Sequence, residues 1–468
     1  MFRDLPPYAQ TTWNSFWSAP TPIHWGVQPG LAVLQENRLK NDGLVESQVL
    51  SLSYGKVVVK PVEKQRGLVP DSYEGYQILD PGDIVVRPTD LQNDQTSIRV
   101  GHVKNRGIIT SAYIGLRPSG GWGDSYAFQY LTVVDSSKRI YGMGSGLRQQ
   151  LGWSDLKRMP CLVPPAEEQA AIVKYLAHAN ARIDKTIAAK RCLIELLHEQ
   201  RARTADDLVT GRDKPLQSVS SLPWLESVPE GWEWRRCRTI TRFITSGSRG
   251  WAEFYADQGP IFLQSGNLGR HLDLKLSNLQ RVDLPESASE GIRTRVQPRD
   301  LLMCITGALT GNVSLVPADW TAEAYINQHI ALIRPAHDAV DAEFLGLAMK
   351  SQPSQIQLRA SEYGGTKQGL GLAEVKNLEI LMPPLADQRT VITRIADRTA
   401  RLDRAIESNE NEIALLGEFR TRLVADVVTG QVDVRAIAAT LPDAPETSDN
   451  QISEPDDDLE EALSEGGD

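Results

Sequence analysis

The chain has 468 residues, 41% of them hydrophobic, and a formal net charge of −10. That length exceeds what one core supports, the apolar fraction is that of a soluble globular protein, and no apolar run reaches the ~20 residues of a membrane span. The N-terminus has no basic flank followed by an apolar core, so it does not read as a signal peptide, and Cys161, Cys192, Cys237 and Cys304 never fall at C-x-x-C spacing, which reads as reduced thiols of a cytoplasmic protein.

Residues 1–163 alternate short β-branched runs with Gly, Pro and Asp punctuation. Val57–Val59, Asp83–Val86 and Ile108–Leu116 read as strands. Residues 164–212 read as one long helix, opened by Pro164-Pro165 and closed by Val209-Thr210-Gly211. Apolar or small residues at Ile172, Leu176, Ala179, Ile183, Ile187, Ile194 and Leu197 step by 3 and 4, a coiled-coil seam rather than a wide globular face. Residues 213–382 return to the strand-rich pattern, with strands expected at Ile261–Leu263, Leu301–Ile305 and Ile330–Ile333 and a helix at Ala342–Lys350. Residues 383–435 read as a second long helix with its seam at Val391, Ile395, Leu402, Ile406, Ile413 and Leu416. Lys190, Asn409 and Arg398 interrupt the two seams, and polar seam positions can fix register. Residues 436–468 read as a disordered acidic tail; from Leu441 onward there are 11 acidic residues and no Lys or Arg. Without those 11 charges the rest of the chain has a net charge of +1, and Arg235–Arg299 carries 11 basic against 6 acidic residues. The tail therefore hides a chain with basic regions.

The strongest signal is an internal repeat. Pro164–Gly211 aligns without gaps on Pro383–Gly430 at an offset of 219, with 18 identities in 48 positions. Ordinary composition gives about 3 by chance. Gln169 and Gln388 stand four residues beyond the second proline in each copy. Upstream, Gly146, Gln149, Leu151, Gly152 and Lys157 match Gly365, Gln368, Leu370, Gly371 and Lys376. More loosely, Gly82-Asp83-Ile84-Val85 resembles Arg299-Asp300-Leu301-Leu302, and Leu116-Arg117-Pro118 resembles Ile333-Arg334-Pro335. The order is globular domain, helix, globular domain, helix, tail. Each globular domain is expected to be an α/β or α+β unit on a curved β-sheet. Chain connectivity favours an antiparallel pairing of the helices, with a pseudo-two-fold axis across the coil and helix length setting the separation of the domains. Each ~40-residue helix would span ~60 Å.

Catalytic signatures are missing from the sequence. There is no G-x-x-x-x-G-K-[ST] phosphate loop and no Asn-Pro-Pro-aromatic motif of the adenine methyltransferase kind, since Val163 and Met382 precede the two Pro-Pro pairs. Gly142-Met143-Gly144 and Gly144-Ser145-Gly146 open no helix of a dinucleotide fold. The seven histidines form no tight metal-binding pair, and His329 and His337 read as structural or surface residues.

These features resemble the specificity subunits of type I restriction-modification systems over nearly the whole chain, the acidic tail excepted. The most specific parts are the two helical repeats. Thr245–Trp251 (TSGSRGW), Gln264–Leu268 (QSGNL), Ala324–His329 (AYINQH) and Gly365–Gln368 (GTKQ) belong to the same impression. The first domain, with Trp13, Trp17 and Trp25 near its start, departs more from the family. The resemblance implies two target recognition domains, 1–163 and 213–382. Each would read half of a split, asymmetric double-stranded DNA site, with the helical regions 164–212 and 383–435 forming the coil between them. It implies that the chain itself is not an enzyme and binds no cofactor. Two copies of a DNA adenine methyltransferase subunit would bind S-adenosylmethionine and methylate, and a restriction-translocase subunit is a further partner of such complexes.

Side chains that reach base edges specify sequence, while phosphate contacts position a domain. In the second domain the candidates are Ser246, Ser248, Arg249, Gln264, Asn267 and Arg270, with Thr366, Lys367 and Gln368; in the first they are Tyr54, Lys56, Arg87, Gln92, Asn93, Arg148 and Gln149. Arg249 suits guanine or phosphate, and Lys367 and Arg148 suit phosphate. Charges repeated outside the seam point to a shared partner or to ion pairs within the coil. They are Arg182, Asp184, Arg201 and Arg203, recurring as Arg401, Asp403, Arg420 and Arg422, beside Pro164, Pro165, Pro383 and Pro384. Two other classes stay open: a catalytic methyltransferase or nuclease with a degenerate site, which would bind S-adenosylmethionine directly, and a coiled-coil scaffold without DNA binding, which would give no gel shift.

Overall fold

The computed structural model describes residues 5–53, 55–61, 73–89, 99–143, 151–219, 227–247, 249–285, 293–362 and 369–445. They fall into two compact units, one within Met1–Lys190 and Asn411–Gln451, the other within Arg191–Glu410. Two helices of 44 residues, Ala166–Val209 and Leu385–Val428, each give one half to each unit.

The repeated sequence signals have local causes. In both copies the first proline is buried and the second exposed. The following glutamine is buried and turns back on the entry strand: Gln169 Nε2 donates to the Pro164 carbonyl at 2.8 Å, and Gln388 Nε2 to the Pro383 carbonyl at 3.2 Å. The closing glycines end both helices in the same way. Gly211 and Gly430 have φ of 69° and 74°, and the amides of Arg212 and Gln431 donate to the carbonyls of Asp207 and Asp426 at 2.9 and 2.8 Å. This is a Schellman cap, which needs a left-handed residue. Neither glycine has room for a side chain: a Cβ would stand 2.3 Å from Pro229 in one case and 2.3 Å from Pro22 in the other. Each proline opens a turn that closes on a buried tryptophan, Trp232 or Trp25.

The globular parts share one frame. In the first unit a sheet runs in the order Leu34–Glu36, Ile114–Pro118, Ile84–Val86, Val100–His102, then Lys56–Val59 and Leu50–Ser53. In the second unit the sheet is Thr241–Ser246, Ile330–Pro335, Leu301–Cys304, Val313–Leu315, in the matching order. One helix packs beside each sheet, Asp124–Ser136 and Ala342–Lys350. A buried carboxylate ties matching strands together. Asp83 receives Arg117 Nε at 2.8 Å, and Asp300 receives Arg334 Nε at 2.8 Å; both carboxylates also accept a backbone amide from their own turn. The loose sequence match at these four residues is therefore a shared strand-tying ion pair.

In the first unit the core joins Ile84, Val86, Leu116, Tyr126 and Tyr130 to Ile172, Tyr175, Leu176 and Ala179 of the first long helix and to Leu423, Val427 and Val428 of the second. In the second unit it joins Leu301, Met303, Ile333, Phe344 and Leu345 to Leu208, Val209, Val391 and Ile395. The start of one helix thus lies with the end of the other in each unit, which makes the pairing antiparallel. Truncating a seam residue such as Leu176 to Ala would cost roughly 2–5 kcal/mol.

Three expectations change. Ile108–Leu116 is not one strand: Gly107–Ile109 pairs with Gln77–Leu79, and a turn at Thr110–Tyr113, held by Gln77 Nε2 at 3.1 and 2.8 Å, separates it from Ile114–Pro118. The second seam passes through Thr399, which is 1% exposed, and Arg398 points to solvent. The segment expected to be a disordered tail from 436 begins as a helix, Arg435–Thr440, with Ala438 buried.

Candidate nucleic-acid interface

The second unit gathers several of the candidate strings around one open cleft of about 360 Å³. One wall is Arg249, Gly250, Trp251 and Ala252, the other Thr306, Asn327, Gln328 and His329, with Tyr255 and Phe262 between them. The floor is rigid because it is aromatic and buried: Trp251 packs on Phe262 at 5.5 Å and edge-on to Tyr325 at 5.6 Å. Burial and the Glu323 carboxylate together push the Tyr325 hydroxyl up to about 12. The rim is polar. Arg249 is exposed, and Gln328 Nε2 lies 3.2 Å from the His329 ring. Ser246 ends the strand Thr241–Ser246 that leads into the first wall.

The remaining candidates divide. Gln264 sits beside the cleft, its Nε2 donating to the Tyr255 hydroxyl at 3.1 Å. Asn267 is buried, and its amide is spent inside the fold, accepting the Gln264 amide at 2.9 Å and donating to the Lys275 carbonyl at 3.2 Å. It closes a turn and does not present itself to a ligand, contrary to its place among the reading residues. Arg270 is exposed but forks onto Glu195 of the first long helix at 3.0 and 2.8 Å. Ser248, Thr366, Lys367 and Gln368 lie outside the described residues. Gly369 pairs with Thr306 of the cleft wall, and the Leu370 amide donates to the Ile305 carbonyl at 2.8 Å.

In the first unit Lys56 begins the strand Lys56–Val59 and is exposed, while Arg87 follows Ile84–Val86 and is half-buried, its amide bonded to the Arg99 carbonyl at 2.8 Å. Tyr54, Gln92, Asn93, Arg148 and Gln149 lie outside the described residues, as do Gly144 and Gly146 of the Gly-x-Gly runs.

The repeated charges resolve into the coil. In the second unit Arg201 Nε donates to Asp403 at 2.6 Å; in the first, Arg420 donates to Asp184. These are the same pair, related by the repeat, and of the two readings open for these four residues the geometry realises the ion pair within the coil. Arg422 reaches Asp426 on its own helix at 3.6 Å. Arg182, Arg203 and Arg401 are exposed. So are Leu196 and Leu415, at 56% and 61%, which are identical across the repeat and belong to no core. The seam count passed over these leucines because they fall off its 3–4 spacing.

Sequence reasoning also missed a cationic joint in the second unit. His271 Nε2 lies 2.7 Å from His198 Nδ1, and Arg201 donates to His271 Nδ1 at 3.2 Å. Burial, then the Arg201 charge, lower the His271 ring to about 4. Burial lowers Lys350, which donates to Asn312 Oδ1 at 2.6 Å, to about 8. The two histidines are 73 residues apart, too far for any spacing signal. Among the described residues no group of three or more His, Cys, Asp or Glu is placed to hold a metal ion, and no helix is long and apolar enough to cross a membrane. All four cysteines are free.

The family model described as the type I restriction modification DNA specificity domain matches residues 285–417, which run from the second globular part into the second long helix. Over that stretch the chain is similar to the type I specificity-subunit family. It is 24% identical over 281 residues to the type I restriction enzyme EcoBI specificity subunit of Escherichia coli, a match covering 58% of each chain. The chain therefore spans a little over half the length of that relative. Its fold matches a chain from a structure of a type I R-M system, described for its assembly and conformational transition. That match has a TM-score of 0.50 and 14% identity, over 88% of this chain and 99% of the other. The HsdS subunit from Thermoanaerobacter tengcongensis aligns over 89% of this chain and 98% of its own, at 15% identity and a TM-score of 0.38. The matched stretch includes one wall of the cleft, Thr306, Asn327, Gln328 and His329, while the wall Arg249–Ala252 precedes it.

Proposed function

We propose that this chain is the DNA-reading subunit of a type I restriction-modification complex, with each unit reading one half of a bipartite, asymmetric duplex site. The observation that carries this reading is the cleft of the second unit. A buried aromatic floor fixes the backbone, exposed Arg249 and half-buried Gln328 and His329 line the cleft, and half-buried Gln264 stands beside it on Tyr255; arginine and glutamine are side-chain types that read base edges. Arg249 suits guanine O6 and N7, and Ser246 suits phosphate. Lys56 and Arg87 would serve the first half-site, together with Tyr54, Gln92, Asn93, Arg148 and Gln149. Ser248, Thr366, Lys367 and Gln368 would complete the second.

On this reading the chain performs no chemistry in the cytoplasm where it works. Two copies of an adenine methyltransferase subunit bring S-adenosylmethionine, and a restriction-translocase subunit joins them. The docking residues this reading favours repeat in each unit: exposed Leu415, Arg182 and Pro165 in the first, and exposed Leu196, Arg401 and Pro384 in the second. The recurrence of the same exposed leucine in both copies, buried in neither core, supports a partner met twice. Incubating the full-length chain with random duplex DNA and sequencing the retained fraction tests the DNA-reading claim: one two-part motif is expected, and unenriched sequence would refute it.

A further inference from the structure

We propose that Gln264 reads an adenine in the major groove, and that Tyr255 and Asn267 are the positioning residues that hold it ready; this rests on the DNA-reading function proposed above. Gln264 is the first residue beyond the strand Tyr255–Leu263, whose last three residues, Ile261, Phe262 and Leu263, are buried. Its backbone is fixed at both ends by Asn267. The Gln264 amide donates to Asn267 Oδ1 at 2.9 Å, and the Asn267 amide donates to the Gln264 carbonyl at 2.9 Å. Asn267 is itself locked by the Lys275 carbonyl at 3.2 Å. The Gln264 side chain is held by the Tyr255 hydroxyl at 3.1 Å, and Tyr255, 39% exposed, lines the cleft between Arg249 and His329.

The hydrogen-bond inventory then selects the base. A glutamine amide has two N–H donors and one oxygen acceptor. Whichever end of the amide meets the tyrosine hydroxyl, at least one N–H and one oxygen lone pair remain. Adenine shows the complementary pair in the major groove, the N7 acceptor beside the N6 donor, and glutamine meets it bidentately. Holding the side chain before contact removes rotamer freedom that a loose glutamine would lose on binding. A glutamate in the same place only accepts, which suits the N4 donor of cytosine.

The test uses full-length wild-type chain, Gln264→Glu, Gln264→Ala and Tyr255→Phe, each checked for cooperative unfolding, with retained random duplexes sequenced. Gln264→Glu should change one adenine of the motif to cytosine, with a preference reversed by about tenfold or more. Gln264→Ala should leave that position nearly indifferent to base. Tyr255→Phe should keep the adenine and weaken its preference severalfold. Every other position, including the whole of the other half-site, should stay as in wild type. A wild-type motif that all three variants reproduce unchanged would overturn this assignment and leave the DNA-reading function standing. A wild-type chain that selects no motif would overturn both.

Discussion

The two buried glutamines that follow the Pro-Pro pairs should act as latches between each long helix and its own globular part. Gln388 accepts the Asp341 amide at 2.8 Å, at the cap of the helix Ala342–Lys350, while donating to the Pro383 carbonyl at 3.2 Å. Gln169 does the same with one bond more: it accepts the Gly123 amide at 2.9 Å and donates to the Gly121 and Pro164 carbonyls at 2.7 and 2.8 Å. The Pro164 and Pro383 carbonyls are buried and the other partners part-buried; a buried partner left unsatisfied costs about 1–3 kcal/mol and a part-buried one less. Gln388→Ala should therefore destabilise the second unit by roughly 2–4 kcal/mol, and Gln169→Ala the first unit by about 1 kcal/mol more than that. With a urea slope of about 2–3 kcal/mol/M for a unit of this size, the affected transition should move down by roughly 1–2 M. Urea unfolding followed by tryptophan fluorescence reads the shift, since Trp25 and Trp232 sit near the helix ends of the first and second units. Duplex selection under native conditions should show Gln388→Ala weakening one half of the motif and Gln169→Ala the other. Variants within about 0.5 kcal/mol of wild type would refute the latch, because that is the range of an ordinary surface change.

Two further predictions concern the second unit. His271 is held below its ordinary value, so the unfolded chain binds a proton that the folded one refuses between pH 6.5 and about 4. Stability from this group is complete above pH 6.5 and falls as the pH drops through that window. The urea midpoint of the second unit should fall on acidification, and His271→Gln should flatten the slope; an unchanged slope would exclude His271 as its source. Arg201→Asp should cost about 0.5–1 kcal/mol, as a partly exposed pair does, and Arg201→Asp with Asp403→Arg should recover it. If the folded double variant no longer co-purifies with a methyltransferase partner that the wild type retains, the pair serves docking as well as the coil.

The elements legible in the sequence were those whose cause is local. Pro-Pro and Gly211 or Gly430 bound the long helices because ring geometry and a left-handed cap act within a few residues. Asp83 with Arg117, and Asp300 with Arg334, left a trace in both domains because a buried carboxylate tolerates few replacements. What was not legible depends on where distant segments meet. A repeated Arg or Asp looks alike whether it faces a partner or the other helix, so the sequence left both readings of Arg201 and Asp184 open. The gapless offset sets Arg398 against Ala179, while packing takes the neighbouring Thr399 into the seam. Asn267 reads as a free amide in a loop, and only the turn shows that Gln264 and Lys275 consume it. The Tyr255–Gln264 contact joins the two ends of one strand across a register shift between Ala256 and Ile261, which alternation along the sequence does not reveal.

The central claim is that this chain supplies DNA sequence information to a methyltransferase. Methylome sequencing of cells carrying the methyltransferase partner, with the wild-type chain, with Arg249→Ala, and without the chain, tests it most directly. The account predicts adenine methylation at a two-part asymmetric motif only when the chain is present, with Arg249→Ala relaxing one position of one half. The same motif methylated in cells that lack the chain would contradict it.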